Sequence, residues 1–299
     1  MVATFGKAMP LLTVKFLKQI DRLHIRSQDV FRGKFKGERR SLSRGASVEF
    51  ADYRTYELGD DLRYIDWNIY ARLDRLFIKL FRAEEDLPIF VLIDNSKSMD
   101  FGIPSKLECA KRIAAALSYI GLASSDRVSI YTLSDQLTLI APLTYGKTQF
   151  RKLSQALEKI VVVGETHLTT CLKSFVTHTR SSGVTVVISD FLDMGGYESG
   201  LKQLLSRNFD LTLVHLLSDD DMHPRLSGEL QLADAETGQS KEIAVNEQAL
   251  TSYTRRFNIF CEALKRFCLQ RAVTYIRIDN QVPIEQLILK DLRRSGFIQ

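Results

Sequence analysis

Cysteine is scarce in this chain, and its placement excludes most of what cysteine builds. Cys109, Cys171, Cys261 and Cys268 include no Cys-x-x-Cys pair, and Cys109, Cys261 and Cys268 fall in stretches of helical periodicity. Buried free thiols are expected, not a disulfide or zinc framework. No apolar run approaches the ~18 residues that cross a bilayer. Residues 1–19 also lack an apolar segment followed by a small-residue cleavage site, so a cytoplasmic protein is expected. Two catalytic signatures are missing. There is no Gly-x-x-x-x-Gly-Lys-Ser/Thr phosphate loop. Gly45-Ala-Ser47-Val is followed by Glu49, so there is no Gly-x-Ser-x-Gly elbow either. The five histidines are scattered. His24, His178 and His223 show no ligand spacing, His167 reads as an ordinary loop residue beside Thr166, and His215 in an apolar run reads as a core residue with its polar atoms satisfied.

What remains is an ordinary soluble composition, 45% apolar and 26% charged over 299 residues. That length suits one large domain or one domain with an appendage. The net charge of +5 is unevenly spread: residues 1–50 hold eleven Lys/Arg against four Asp/Glu, and the rest is slightly acidic. A basic run such as Arg32-Gly-Lys34-Phe-Lys36 suits nucleic acid, an acidic membrane surface, a solvated arm or an acidic protein. With Phe35 the one aromatic between its basic residues, the run offers little for base stacking, and nucleic acid is not expected as a partner.

Periodicity sets out an α/β chain. Residues 11–31 read as an amphipathic helix packing on the main domain or a partner, and residues 33–46 as a basic linker broken by Gly33, Gly37 and Gly45. Strands are expected at 76–81, 89–93, 127–133, 137–141, 184–190, 211–217 and 273–278. Helices are expected at 107–122, 149–160, from Thr166 through Phe175, and at 197–206, 248–270 and 284–292. Residues 224–245 interrupt the alternation with an inserted β-hairpin turning at Glu236-Thr-Gly238. The fold class that follows is α/β: a doubly wound, mostly parallel sheet of Rossmann type, with an N-terminal helical and basic extension (1–46) and an inserted hairpin within a main domain of 86–299.

The chemistry gathers after one strand. Ile89-Phe-Val-Leu-Ile93 is apolar enough for a strand buried on both faces, and Asp94, Ser96 and Ser98 follow where it leaves the sheet. Ligands in open α/β sheets bind at the carboxyl ends of the strands. Asp94-x-Ser96-x-Ser98 offers only hard oxygen, which suits Mg²⁺ and not zinc, although the same residues also suit a helix N-cap and a polar loop. Thr166 and the strand-ending Asp190 come round to the same edge in a doubly wound sheet. Five oxygen-bearing residues then surround one point and leave a coordination position open for a carboxylate from another molecule.

Residues 47–85 interleave arginine, aspartate and aromatics and hold the only tryptophan. Gly59-Asp60-Asp61 reads as a turn into a helix N-terminus. Arg54, Arg63 and Arg72 either fork onto Asp52, Asp60 and Asp66 as a structural network or, with Asp61 and Trp67, present a recognition surface.

Asp94-x-Ser96-x-Ser98, Gly164-Glu-Thr166-x-Leu168 and Asp190 resemble the metal-ion-dependent adhesion site of von Willebrand factor A domains. Glu165 departs from the small residues common in that loop. More narrowly, Arg54-x-Tyr56-x-x-Gly59-Asp60-Asp61-x-Arg63-x-Ile65-Asp66-Trp67 resembles the bacterial "domain of unknown function fifty-eight" family, whose members often accompany MoxR-type AAA+ ATPases. The resemblance spans about residues 40 to 220, and the hairpin also resembles an insertion of that family. It implies a von Willebrand factor A-like main domain with residues 47–85 packed on it. The activity it implies is that of a cytoplasmic, chaperone-like adaptor and not an enzyme: Mg²⁺, or Mn²⁺, held by Asp94, Ser96, Ser98, Thr166 and Asp190 engages an acidic group on a partner. The partners implied are a MoxR-type ATPase and its client, with Arg54, Asp60, Asp61, Arg63, Asp66, Trp67 and Arg72 as further contact residues. One alternative is a metal-dependent phosphatase-like hydrolase; the haloacid-dehalogenase type needs a second aspartate where Ser96 stands. Another is a structural protein with a vestigial metal site.

Overall fold

The arginine- and aspartate-rich stretch contains the strand expected at 76–81, ahead of the strand of Asp94, and also folds back on itself through a second strand that was not expected. In the computed structural model, which describes residues 11–27, 48–83, 86–224, 228–233 and 240–299, β1 (Val48–Thr55) pairs antiparallel with β2 (Phe77–Ala83) as a separate two-stranded sheet. The register runs from Val48 opposite Ala83 to Thr55 opposite Phe77, with an irregularity between Phe50 and Asp52. Between the strands, Asp61 caps a 3₁₀ turn, Leu62–Tyr64, and Asp66 caps the helix Trp67–Leu73 by accepting from the Asn68 and Ile69 N–H groups. Gly59 makes the preceding turn with φ +103°, a conformation that costs glycine little. Residues 35–86 cluster as a unit of their own; the rest of the chain forms the main unit.

In the main unit the apolar run before Asp94 becomes β3 (Pro88–Asp94) and lies near the middle of a sheet. The sheet also contains β4 (Arg127–Leu133), β5 (Leu137–Tyr145), β6 (Val184–Ser189) and β7 (Asp210–Leu217), with β4 and β6 flanking β3. The inserted hairpin supplies β8 (Gly228–Ala233) and β9 (Ser240–Val245), paired antiparallel, and its expected turn at 236–238 lies outside the described residues. Strand β10 (Thr274–Asp279) completes the sheet, in the order β10-β7-β6-β3-β4-β5. All neighbours are parallel except the edge pair β4–β5, so the expected doubly wound, mostly parallel fold is the one observed. After β5 the chain crosses to the other side of β3 to form β6. The crevice beyond the carboxyl ends of β3 and β6 is therefore a topological switch point.

Side chains of β3 alternate between two cores. Ile89, Val91 and Ile93 join the helix Lys106–Ala123, while Phe90 and Leu92 join the helices Leu168–His178 and Glu198–Ser206 and part of Glu247–Leu269. The amino-terminal helix is shorter than its periodicity suggests. It runs Val14–Ile20 with Thr13 accepting from the Phe16 N–H, and residues 28–31 and the basic linker lie outside the described residues. The chain leaves the helix because Ile25 bridges Ile298 antiparallel, with His24 and Gln299 exchanging backbone hydrogen bonds at 3.0 Å. Phe16, Ile20, Leu23 and Ile25 are buried in the core of the main unit. Two further differences are local. A short helix, Asp219–Met222, closed by a capping box from Ser218 and Asp221, follows β7. The last helix begins at Ile284–Gln286 and continues as a π-helix, Leu287–Leu292.

Candidate metal centre at the sheet edge

Asp94 ends β3 fully buried, and its carboxylate is held by hydroxyls and one backbone N–H. Ser96 donates to Oδ1 from its hydroxyl at 2.7 Å and from its N–H at 3.0 Å, while Ser189 donates its hydroxyl to Oδ2 at 2.6 Å. The Ser96 and Ser98 hydroxyl oxygens lie 3.1 Å apart. Ser189 is itself fixed by the Phe191 N–H at 2.8 Å, which joins the end of β6 to the end of β3. Asp190 follows Ser189, fully buried, with Oδ1 accepting the Leu192 N–H at 3.1 Å.

Thr166 is buried in a loop stitched to the same edge. The Lys97 N–H donates to the Gly164 carbonyl at 3.3 Å, the Val163 N–H donates to the Asn95 carbonyl at 2.8 Å, and the Asn95 amide donates to the Val161 carbonyl at 3.0 Å. Thr166 does not itself start the following helix, as expected from sequence; His167 stands at its N-cap position. Gly164 has φ +63°, and a Cβ there would strike the Asp135 carboxylate, which accepts the Glu165 N–H at 2.7 Å. Gly164→Ala is accordingly expected to cost roughly 1–3 kcal/mol, from the left-handed backbone and a displaced hydrogen bond; urea denaturation measures it, and a change near zero would show that Asp135 swings aside freely.

Lys106 and Asp221 belong to this edge, and sequence reading missed both. The Lys106 ammonium, 1% exposed, lies 2.7 Å from Asp190 Oδ2 and 3.0 Å from Asp221 Oδ2. The available signal was a lysine in the first turn of a helix, against the dipole, which asks for an acidic partner without saying which. Burial alone would pull the lysine's pKa down, but Asp190 and Asp221 outweigh it and raise it, so the ammonium stays charged. Asp94 forms no ion pair among the described residues. Burial, then the charge of Asp190, push its carboxyl up to about 7 against the opposing Ser189 and Ser96 hydrogen bonds.

The donors suit a small, hard cation. Two ligands at adjacent corners of a Mg²⁺ octahedron, each ~2.1 Å from the metal, stand about 3 Å apart, and the Ser96 and Ser98 hydroxyls have that separation. Among the described residues no three His, Cys, Asp or Glu side chains gather as ligands, so a site here would be hydroxyl-rich. Asp190 accepts one hydrogen bond on each oxygen, from the Leu192 N–H and the Lys106 ammonium, so each oxygen keeps a further lone pair, and Asp94 Oδ2 keeps one as well.

Exposed apolar side chains stand on the loops at this edge. Phe101 and Ile103 follow the Ser98 turn, Val161 and Val163 precede Thr166, and Leu192 and Met194 follow Asp190; Ile103 is 89% and Met194 99% exposed. The remaining expected contact residues lie in the smaller unit. There Arg54 pairs with Asp60 at 2.8 Å and Arg63 with Asp61 at 2.6 Å, but Asp66 is taken by Lys79 at 3.0 Å and by the Tyr53 hydroxyl at 3.1 Å. The Lys79 hydrogen bond holds the Asp66 carboxyl below its usual range. Arg72 forms no ion pair among the described residues, and the Asp52 side chain lies outside them. Asp60 and Asp66 thus serve the local fold, while Arg63, Trp67 and Arg72 remain exposed.

The four cysteines are buried and free. His215 is buried against the Tyr275 hydroxyl at 2.7 Å, and burial pushes its pKa down to about 4. No helix among the described residues is long and apolar enough to cross a membrane.

The sheet order and the oxygen-lined crevice define an α/β protein with its candidate site at the switch point. The family model described as "Protein of unknown function DUF58" matches residues 52–258, and the chain belongs to that family. It is similar to an uncharacterised protein of Mycobacterium tuberculosis, 24% identical over 230 residues, 75% of this chain and 72% of the relative. Among solved structures it is similar to the conserved hypothetical protein BatB from Bacteroides thetaiotaomicron (TM-score 0.43, 15% identity, 70% of this chain and 98% of that one). It is also similar to a von Willebrand factor type A protein from Catenulispora acidiphila (TM-score 0.41, 14% identity, 74% of this chain and 44% of that one).

Proposed function

We propose that the carboxyl edge of the sheet binds a partner protein through a divalent cation. Asp94, Ser96, Ser98, Thr166 and Asp190 would hold Mg²⁺, or Mn²⁺ in its place. The bound ion supplies a hard positive centre with room for one carboxylate oxygen from the partner. The observation that carries this reading is a buried, hydroxyl-bound carboxylate that forms no ion pair among the described residues, at an edge whose loops carry exposed apolar side chains. Apolar surface of that kind marks interaction sites, and charge complementarity at its centre would select an acidic group. No catalytic step is assigned. The partner class implied by the family resemblance is a MoxR-type AAA+ ATPase acting on a client protein in the cytoplasm, with the chain serving in assembly or activation.

Calorimetric titration of Mg²⁺ and Mn²⁺ into the protein and into a Ser96→Ala, Ser98→Ala variant tests the reading. One equivalent should bind the parent and none the folded variant. Absence of binding by the parent, both alone and with the candidate ATPase present, would sink the proposal.

A further inference from the structure

The negative charge at this edge is only partly balanced from within. Asp190 and Asp221 share the Lys106 ammonium, and Asp221 Oδ2 also accepts the Ser218 N–H at 2.9 Å and its hydroxyl at 2.8 Å. The Asp221 carbonyl accepts the Tyr253 hydroxyl at 2.8 Å. Among the described residues, Asp94 receives only hydroxyls and a backbone N–H. The lysine stands at the first position of the helix Lys106–Ala123, where the dipole opposes a cation. Its place there is explained by the two carboxylates it meets.

We propose that Lys106 is a resident counter-cation of the Asp94–Asp190 edge, one that lowers the affinity of that edge for a divalent ion. The proposal builds on the cation reading above for its choice of ligand, but its outcome is separable from it. With the ammonium in place, Asp190 is already neutralised, and an arriving dication meets a positive charge within the same buried cluster. At the effective dielectric of such sites a unit charge a few ångströms away changes a dication's affinity by well over tenfold. A neutral side chain at position 106 therefore strengthens binding, and arginine preserves the parental affinity.

Mn²⁺ is the probe, titrated by calorimetry into the full chain, Lys106→Met, Lys106→Arg and the double variant Lys106→Met, Asp221→Asn, which removes the second carboxylate stranded by loss of the lysine. The expected result is binding at least tenfold tighter in Lys106→Met, or in the double variant if the single one unfolds, with Lys106→Arg within about threefold of the parent. A purely structural lysine would make every substitution weaken binding. If the parent binds no Mn²⁺ but Lys106→Met does, the counter-cation role stands and the metal-dependent function of the native chain falls. Equal or weaker binding by the methionine variants would overturn the inference, as would failure of both to fold even in millimolar Mn²⁺, because the ion is expected to replace the lysine.

Discussion

Asp94→Asn is expected to raise the melting temperature of the metal-free protein at pH 8 and to leave it nearly unchanged at pH 4. Burial and the neighbouring Asp190 raise the Asp94 carboxyl from its ordinary 3.8 to about 7. The folded chain therefore holds a proton that the unfolded chain has released throughout that interval. Stability from this group is fully present below the unfolded pKa and is lost as pH rises through the folded one. The loss is on the order of 4 kcal/mol, since each pH unit between the two values corresponds to about 1.4 kcal/mol. Asparagine carries no charge to bury and removes the slope. It gives back part of the gain, because its amide N–H₂ must face a serine hydroxyl that now donates to a carboxylate oxygen. Calorimetric melting in EDTA at pH 4 and pH 8 measures the difference, expected at roughly 4–10 °C in favour of the variant at pH 8. A variant less stable than the parent at pH 8 would show that the Asp94 charge is compensated in the free protein. Added Mg²⁺ should then stabilise the parent alone, in proportion to RT ln(1 + [Mg²⁺]/Kd).

Phe175→Ala is expected to be the most damaging of the simple core truncations. Its ring is fully buried, with centroids 5.3 Å from Phe90, 5.2 Å from Tyr131 and 5.5 Å from Phe209. Phe90 and Tyr131 are fixed on adjacent strands and Phe209 lies just before β7, so the walls around the missing ring have little freedom to collapse. A large aromatic cut to alanine in such surroundings costs about 3–5 kcal/mol, and the lost edge-to-face contacts lie within that figure. Denaturant unfolding checks it. A cost below about 1 kcal/mol would mean that the strands close over the gap. Because Phe90 precedes Asp94 on the same strand, Mn²⁺ titration of this variant well below its transition also asks whether the site depends on the packing beneath it.

Much of the fold could be read in advance because its signals are local. A strand buried on both faces shows as a largely apolar run: Ile89–Ile93 is unbroken, while 184–188 is interrupted by Thr185 and 211–217 by Thr212 and His215. The carboxyl end of such a strand is where polar chemistry is placed, which makes Asp94 and Asp190 legible as site residues in the sequence. The amino-terminal helix was overextended because periodicity does not register a distant competitor: the chain after Ile20 is claimed by Ile298 at the far end of the protein. Strand β1 is not legible beside the expected strand at 76–81, because antiparallel pairing across a helix and two turns leaves no periodic mark.

The same division holds at the candidate site. The residue types after each strand determined which oxygens were available and that they suit a hard cation. Only the tertiary structure decided how charge is shared among them, since a carboxylate's environment depends on what folds against it. Asp94 is left to hydroxyls and a backbone N–H, whereas Asp190 meets a lysine from one helix and shares it with Asp221 from another segment. Coulomb energy in a buried cluster depends on separations of a few ångströms, and those separations are set by packing between elements far apart in the chain.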